Sequence, residues 1–319
     1  MNSNSPSITV VIPLYNKEKY ILRTINSVLN QSFKEFELIV INDGSTDDSL
    51  SKLESVHDSR LTIISHNNIG HSATRNKGAR IAKTELVAFI DADDSWKPNF
   101  LQTIVDLYHQ YPEAGIFGTN FIRIDPNGNK VSANIFGIND IKGEHGIIKN
   151  FFKMSLYDLC IRPAAFAIKK SIMEETSGFL TGVIYGEDFE FFTRLAFKYP
   201  IAYSKKREFE YHTGLTNSIT QSSEFFEMPI IDLYIDYKSN ADLNEEQEYY
   251  LEEYINRLRL DKCFWALIKG HKKLVKKLLN DSKNNNMFKG KWIRYYFLSK
   301  IPHRFYMLFR FIKYGMLKR

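Results

Sequence analysis

The stretch Leu86-Val87-Ala88-Phe89-Ile90-Asp91-Ala92-Asp93-Asp94 runs from five apolar residues directly into three carboxylates. An unbroken apolar run of this length is typical of a strand buried on both faces, as in a parallel sheet. Carboxylates at the C-terminal end of such a strand lie where open α/β sheets bind ligands. Three ionised carboxylates favour a cation, and oxygen ligands suit Mg²⁺ or Mn²⁺ rather than zinc. The alternative is a solvated acidic turn that caps the helix beginning near Pro98.

Further strands precede this stretch, and helical segments separate them. Strands are predicted at 8–15, 36–41 and 61–64. After the first strand, apolar residues repeat with helical spacing at Ile21, Ile25, Val28 and Leu29. Alternating strands and helices predict a parallel sheet covered by helices on both faces. The polar residues that follow the strands should then converge on one edge of the sheet.

Four segments in this order resemble family 2 glycosyltransferases of the GT-A fold. They are Val-Val-Ile-Pro-Leu-Tyr-Asn at 10–16, Val-Ile-Asn-Asp-Gly-Ser-Thr-Asp at 40–47, Ala-Thr-Arg-Asn-Lys-Gly at 73–78 and Phe-Ile-Asp-Ala-Asp-Asp at 89–94. A fifth segment, at 186–195, resembles the Glu-Asp segment of the family. The resemblance covers roughly residues 7–215. It implies an α/β fold with a Rossmann-like, nucleotide-sugar-binding, mostly parallel sheet flanked by helices.

The resemblance also implies a donor site. Asp43 matches the carboxylate that accepts a hydrogen bond from the base of the sugar nucleotide, and Arg75 matches an arginine beside base and phosphates. The remaining implied donor and metal contacts are Pro13 and Tyr15 at the base, Asp91 near the ribose, Ala92, Asp93 as the metal-bound member of the Asp-x-Asp pair, and His212 as a metal or phosphate contact. The implied cofactors are Mn²⁺ or Mg²⁺ and a nucleotide-sugar donor, with a UDP-sugar expected.

Asp188 matches the catalytic base of the family, whose members mostly perform inverting transfer. Such a base removes a proton from an acceptor hydroxyl as that oxygen attacks the anomeric carbon. A free aspartate has a pKa of about 3.9, and we expect burial to raise the pKa of Asp188. Glu187 is expected to support the site or contact the acceptor. The alternative for both acids is a helix N-terminus, where they complement the helix dipole; that position is compatible with catalysis.

The sequence therefore predicts a metal-dependent inverting glycosyltransferase. It would move a sugar from a nucleotide-diphosphate sugar to a hydroxyl of a glycan or lipid-linked acceptor in cell-surface polysaccharide synthesis. Two other functions stay open, a non-catalytic nucleotide-sugar-binding module and a sugar nucleotidyltransferase. The nucleotidyltransferase should show a Gly-rich, Arg-containing loop after the first strand, where this chain has Pro13-Leu14-Tyr15-Asn16-Lys17.

The predicted domain organisation begins with a GT-A catalytic domain at 1–220, with a donor half at 1–119 and an acceptor half at 120–220. Residues 221–281 form a helical extension, in which Leu251, Tyr254, Ile255, Leu258, Cys263 and Phe264 suggest one packed face. Two cysteines provide no disulfide framework. Residues 1–7 lack the basic and apolar regions of a signal peptide, and no apolar run reaches the roughly 18 residues of a membrane span.

Residues 282–319 form a basic, aromatic tail. This segment carries ten lysines and arginines and no acidic residue, whereas the rest of the chain has 33 basic against 37 acidic residues. Basic and aromatic residues interleaved in short helices indicate binding to an anionic membrane surface. We expect a cytoplasmic enzyme peripherally associated with the cytosolic face of the plasma (inner) membrane. The alternatives are a helix packed on the protein and a homodimer interface; the acidic body and the lack of a nucleic-acid motif argue against nucleic-acid binding.

Overall fold

The computed structural model describes residues 8–183, 185–215 and 228–302, which fall into two compact units. Among the described residues, the first unit comprises 8–183 and 187–215, and the second comprises 185–186 and 228–302. The strands of the first unit are Ile8–Leu14 (β1), Phe36–Asp43 (β2), Leu61–His66 (β3), Leu86–Phe89 (β4), Ser95–Trp96 (β5), Ile116–Ile124 (β6), Lys130–Ser132 (β7), His145–Ile147 (β8), Phe166–Lys169 (β9) and Ile201–His212 (β10). Its helices are Ile21–Leu29 (α1), Ser49–Glu54 (α2), His71–Ile81 (α3), Phe100–Gln110 (α4), Phe151–Met154 (α5), Lys170–Glu175 (α6) and Glu187–Ala196 (α7), with a 3₁₀ turn at Ile138–Asp140.

The strands of the first unit form one sheet in the order β3-β2-β1-β4-β9-β6-β10-β5, with β7 paired to β6 and β8 paired to β10. The predicted strands and first helix are confirmed as β1, β2, β3, β4 and α1. These four strands are mutually parallel, so their C-terminal ends meet at one edge. The second half of the sheet is mixed rather than parallel, because β9 runs antiparallel to both β4 and β6.

Helix α3 lies close against the central strand β1. Gly78 makes this approach possible, because a Cβ at this position would lie 2.3 Å from Cγ1 and 3.0 Å from Cγ2 of Val11. Val11 is fully buried and β-branched, so it has little freedom to move aside. The glycine therefore fixes the distance between α3, which carries Arg75, and the sheet.

The second unit is helical, with Ile230–Ser239 (α8), Glu245–Lys269 (α9), Lys272–Asp281 (α10) and Lys289–Lys300 (α11). Helix α9 begins with a capping box, in which the Asn244 side chain accepts from the Gln247 amide at 3.0 Å and the Gln247 side chain accepts from the Asn244 amide at 3.1 Å. Of the residues predicted to form a packed face on α9, Leu251, Tyr254, Ile255, Leu258 and Cys263 are fully buried, and Phe264 is partly buried against the core of the unit. No helix among the described residues is both long and apolar enough to span a bilayer.

The polar segment before α11 is held against α9. Glu253 is buried at 2% exposure, and its carboxylate accepts the backbone amides of Asn286 at 2.7 Å and Met287 at 3.0 Å. Helix α11 then packs through Tyr295 against a core shared with α9 and α10. The described part of the basic tail thus contributes to the core of its own unit. Residues 303–319, the remainder of the tail, lie outside the described residues, and the membrane contact of the tail stays a prediction.

Two glycine-to-alanine substitutions in helices should have opposite effects. Gly78→Ala should lower the free energy of unfolding by about 1–3 kcal/mol, because the added methyl overlaps Val11. Gly290→Ala, at a position where a Cβ meets nothing within 4 Å, should raise it by about 0.5 kcal/mol through helix propensity. Urea denaturation followed by circular dichroism measures both changes. Equal stabilisation by the two substitutions would show that Val11 yields to the new methyl.

Candidate active site

Asp43, at the C-terminal end of β2, organises the loop between β3 and α3. It is buried at 3% exposure, and its two carboxylate oxygens accept the backbone amides of Ile69 at 2.7 Å and Gly70 at 3.1 Å. The Asn68 side chain donates to the Asp43 carbonyl at 3.0 Å. Each carboxylate oxygen has a second lone pair, so Asp43 can accept one further donor. Its predicted contact with a nucleobase is compatible with this arrangement and stays a prediction.

The turn after β1 lies at the same edge of the sheet, because β1 and β2 are parallel neighbours. Pro13 is buried, whereas the Tyr15 side chain is 46% exposed. An exposed aromatic side chain beside a polar edge offers a face on which a flat ligand can stack. Both residues were predicted to line the base pocket, and their positions allow it.

Arg75 on α3 and Asp91 after β4 form an ion pair in which the arginine is buried and the Asp91 side chain is 25% exposed. Arg75 is 1% exposed, and its Nη2 donates to Asp91 Oδ1 at 2.6 Å. His71 Nε2 lies 3.2 Å from the same oxygen. Burial alone would raise the pKa of Asp91, but the Arg75 charge and the His71 hydrogen bond outweigh burial and hold that pKa well below its usual range. Asp91 is therefore ionised at neutral pH.

Asp93 faces a cation in this structure. Its Oδ2 lies 2.6 Å from the Lys17 ammonium, while Arg23 donates to its backbone carbonyl. Ala92 is buried beside it at 3% exposure. The side chain of Asp93 is 18% exposed, so this carboxylate can be reached from solvent. The Asp91 side chain is likewise partly exposed, at 25%, so solvent reaches both carboxylates of the predicted Asp-x-Asp pair.

Asp94, by contrast, points into the protein. It is 2% exposed, and its Oδ1 accepts the His212 amide at 2.9 Å. Burial raises the pKa of Asp94 well above its ordinary value, and the charges of Asp93 and Asp91 add to the shift. Helix α4 begins at Phe100, so the three carboxylates do not form the helix cap that was the alternative interpretation of this stretch.

His212 ends β10 and reaches the same acidic edge. Its Nε2 lies 3.0 Å from the Ser95 hydroxyl. Burial lowers the pKa of His212 to about 4, and the nearby Arg23 charge adds to the effect, so the imidazole is neutral at pH 7. No group of three or more His, Cys, Asp or Glu side chains in the described part of the chain is arranged to hold a metal ion. The predicted metal roles of Asp91, Asp93 and His212 stay predictions.

Glu187 and Asp188 occupy the first turn of α7, the helix N-terminus that the sequence offered as an alternative for both acids. Glu187 Oε1 lies 3.8 Å from Arg75 Nη1. Burial raises the pKa of Glu187 to about 7, with a further contribution from the Asp188 charge, and Arg75 opposes the shift. Burial likewise raises the pKa of Asp188, opposed mainly by Arg162. The direction of the Asp188 shift is the expected one, and a carboxylate with a raised pKa is a stronger base than a free aspartate.

Sequence reasoning missed Arg162. Its guanidinium lies 4.6 Å from the centre of the Tyr211 ring, and its charge acts on both Asp94 and Asp188. Lys17 lies in the turn after β1, but the sequence predicts no role for it or for Arg23. No local motif marks these three cations, because the groups that they contact or act on lie more than 25 residues away in the chain.

The chain matches the model of "Glycosyl transferase family 2" over residues 9–175, which is more than half of its length. The chain belongs to this family. The matched residues include both acidic motifs of the donor side, Asp43 and the Asp91–Asp94 cluster, and the family resemblance based on these residues is confirmed.

Curated relatives match over shorter segments. An uncharacterized glycosyltransferase from Nostoc sp. is 38% identical over 112 residues, which is 34% of this chain and 35% of that protein. Chondroitin synthase from Escherichia coli is 31% identical over 129 residues, or 40% of this chain and 19% of that protein. The match therefore spans about a third or less of the length of these relatives.

A solved structure shows the same fold over most of the chain. S. aureus TarS in complex with UDP-GlcNAc superposes with a TM-score of 0.68 and 22% identity, covering 91% of this chain and 79% of that one. The GT-A fold predicted from the sequence motifs is confirmed by this similarity.

The raised pKa of Glu187 predicts a specific pH dependence of stability. The folded state holds the Glu187 proton up to pH about 7, whereas the unfolded state loses it near 4.5. Stability should fall as pH rises through this window, because the folded state binds more protons. Between pH 5 and 8 the free energy of unfolding of the wild type should fall by about 1–3 kcal/mol more than that of Glu187→Gln.

Urea denaturation at pH 5, 6, 7 and 8 measures this difference. Glu174→Gln, whose side chain is 61% exposed on α6, serves as the matched control and should follow the wild type. If the free energy of unfolding depends on pH in the same way in the wild type and in Glu187→Gln, the proton is held by Asp188 rather than by Glu187.

Proposed function

We propose that this chain is an inverting glycosyltransferase that transfers a sugar from a UDP-sugar to a hydroxyl of a glycan or lipid-linked acceptor. A divalent metal ion, Mn²⁺ or Mg²⁺, would assist the transfer, and the enzyme would work at the cytosolic face of an anionic membrane in the synthesis of a surface polysaccharide. Family membership supports the reaction class, and the UDP-GlcNAc bound by the structurally similar TarS supports the donor class.

The observation that carries the proposal is the meeting of the two acidic segments around Arg75. This side chain pairs with Asp91 at 2.6 Å and lies 3.8 Å from Glu187. The carboxylates expected at the donor and at the base are therefore neighbours, although about a hundred residues separate them in sequence. The charge of Asp91 also acts on the pKa of Asp188, which supports placing the base beside the bound donor.

In the proposed reaction, Asp188 accepts the proton of the acceptor hydroxyl as its oxygen forms a bond to the anomeric carbon. The bond between that carbon and the diphosphate oxygen breaks, and its electron pair leaves with the nucleoside diphosphate. Burial makes the Asp188 carboxylate a better base than a free aspartate. The Arg162 charge opposes the burial effect and so favours the ionised form of Asp188, which the reaction requires.

Arg75 is suited to contact the donor. Its Nε and Nη1 are buried and make no hydrogen bond to any residue that the structure describes. A planar guanidinium with donors of this kind matches phosphate oxygens. Phosphate oxygens of a bound donor would accept hydrogen bonds from these buried N–H groups. A buried donor without a hydrogen-bond partner is energetically costly, so this contact would favour binding.

The acidic edge suits a divalent ion that is shared with the donor. Mg²⁺ is commonly held by one or two carboxylates together with substrate phosphates. Asp93 would be the principal ligand, since its carboxylate already faces an ammonium group at 2.6 Å, with Asp91 and the neutral His212 beside it. Such an ion, when bound, offsets the charge that develops on the diphosphate leaving group.

Asp188→Asn should bind donor as the wild type does and lose transfer by on the order of 10²–10⁴-fold, because the amide has the same shape and cannot accept the proton. Asp106→Asn, at an exposed position on α4, is the matched control and should keep full activity. Transfer is measured as release of UDP that depends on acceptor. A loss of less than about threefold would exclude Asp188 as the base and make Glu187 the next candidate.

Asp93→Ala should remove the metal-dependent part of donor binding, because it deletes the carboxylate that faces the cation. Calorimetric titration with a UDP-sugar, with and without Mn²⁺, measures the effect, and Asp106→Ala provides the control. If Asp93→Ala binds the donor with unchanged affinity and unchanged metal dependence, Asp93 is not a metal ligand.

A further inference from the structure

The second unit contains an open cavity of about 460 Å³ between α9, α10 and α11. Its floor is apolar and aromatic, formed by Ala266, Leu267, Val275, Leu279, Trp292 and Tyr296. Ala266, Leu267, Val275 and Leu279 also belong to the buried core of the unit. A volume of this size is in the range of pockets that hold small ligands.

The rim of this cavity is basic. Lys272, Lys276, Lys283 and Lys300 line it, and no aspartate or glutamate is among its described lining residues. Lys272, Lys276 and Lys283 project from one face of α10 and the residues that follow it, at intervals of four and seven. Apolar walls below four ammonium groups match a molecule with a hydrocarbon chain and an anionic head.

A second observation points to lipid. Ile293 and Phe297 lie one helical turn apart on α11, and their side chains are 48% and 65% exposed. Both are neighbours in sequence of residues that line the cavity, Trp292, Tyr296 and Leu298. Exposed apolar side chains beside a basic rim are the arrangement by which a protein surface enters the headgroup region of a bilayer.

We propose that this cavity binds a single anionic phospholipid of a membrane, with an acyl chain against Val275 and Leu279 and the phosphate among the four lysines. The inference rests on the proposed membrane attachment and adds a specific site to it. The chain's own residues 303–319 are a poor alternative occupant on charge grounds, since they carry five lysines and arginines and no acidic residue. Like charges at the rim would repel them.

Fluorescence quenching in the full-length protein tests the site. Vesicles of phosphatidylglycerol with brominated acyl chains should quench Trp292, which lines the cavity, and Trp292→Phe should lose most of that quenching. Brominated phosphatidylcholine vesicles should quench little. Below its micelle concentration, dihexanoylphosphatidylglycerol should bind with saturation at one molecule per protein.

Charge reversal separates the cavity from general surface attraction. Lys276→Glu with Lys283→Glu should weaken binding of the short-chain lipid by about tenfold or more. The matched control, Lys269→Glu with Lys277→Glu, changes the net charge equally at exposed positions outside the cavity and should change binding by less than about twofold. Circular dichroism should show that both double variants stay folded.

Three outcomes would overturn the proposal: equal quenching by both lipids, equal loss in the two double variants, or no contact between Trp292 and the brominated chain. The last outcome would also be the result if residues 303–319 filled the cavity. UDP release by the same variants with a water-soluble acceptor should equal that of the wild type. If lipid binding fails the test while sugar transfer is intact, only the lipid site is contradicted. If sugar transfer is absent while lipid binding behaves as expected, only the proposed function is contradicted.

Discussion

Burying the Arg75 guanidinium at 1% exposure requires an opposite charge beside it, and Asp91 provides that charge at 2.6 Å. Removing one partner of such a pair typically costs about 3–5 kcal/mol, because the other charge stays buried. The pair also joins α3 to the end of β4, and Gly78 on the same helix sets how closely α3 approaches the sheet. Glu187 from α7 also approaches this guanidinium, at 3.8 Å, so Arg75 connects three separate segments of the site.

The charge states of the site follow from the pair. Asp91 stays ionised because Arg75 and His71 stabilise its charge. Burial raises the pKa of Asp94 well above its ordinary value, and the negative charges of Asp93 and Asp91 add to that shift. Glu187 and Asp188 experience opposing effects from burial and from the cations Arg75 and Arg162. One edge of the sheet therefore holds carboxylates whose pKa values are shifted in opposite directions, a pattern typical of sites where one carboxylate takes up a proton.

The sequence predicts those parts of the molecule that depend on local patterns. Strands β1 to β4 are apolar runs with polar residues at their ends, so both the strands and the convergence of Asp43 and Asp91 could be inferred from them. Strand β9 could not be placed, because four residues carry no signal for an antiparallel partner. Lys17, Arg23 and Arg162 act on carboxylates far away in the chain, and contacts of that kind depend on tertiary structure rather than on spacing.

Helix α11 carries apolar and aromatic residues on more than one side. The structure divides them into two sets: Tyr295 is 8% exposed and packs on α9 and α10, whereas Ile293 and Phe297 on the opposite side stay exposed. A helix that packs on its own unit needs only the first set. The second set leaves much of its apolar surface in water, and burial of that surface in another apolar phase would contribute about 25 cal/mol per Å². Packing on the protein and contact with a membrane are thus compatible uses of opposite faces of one helix.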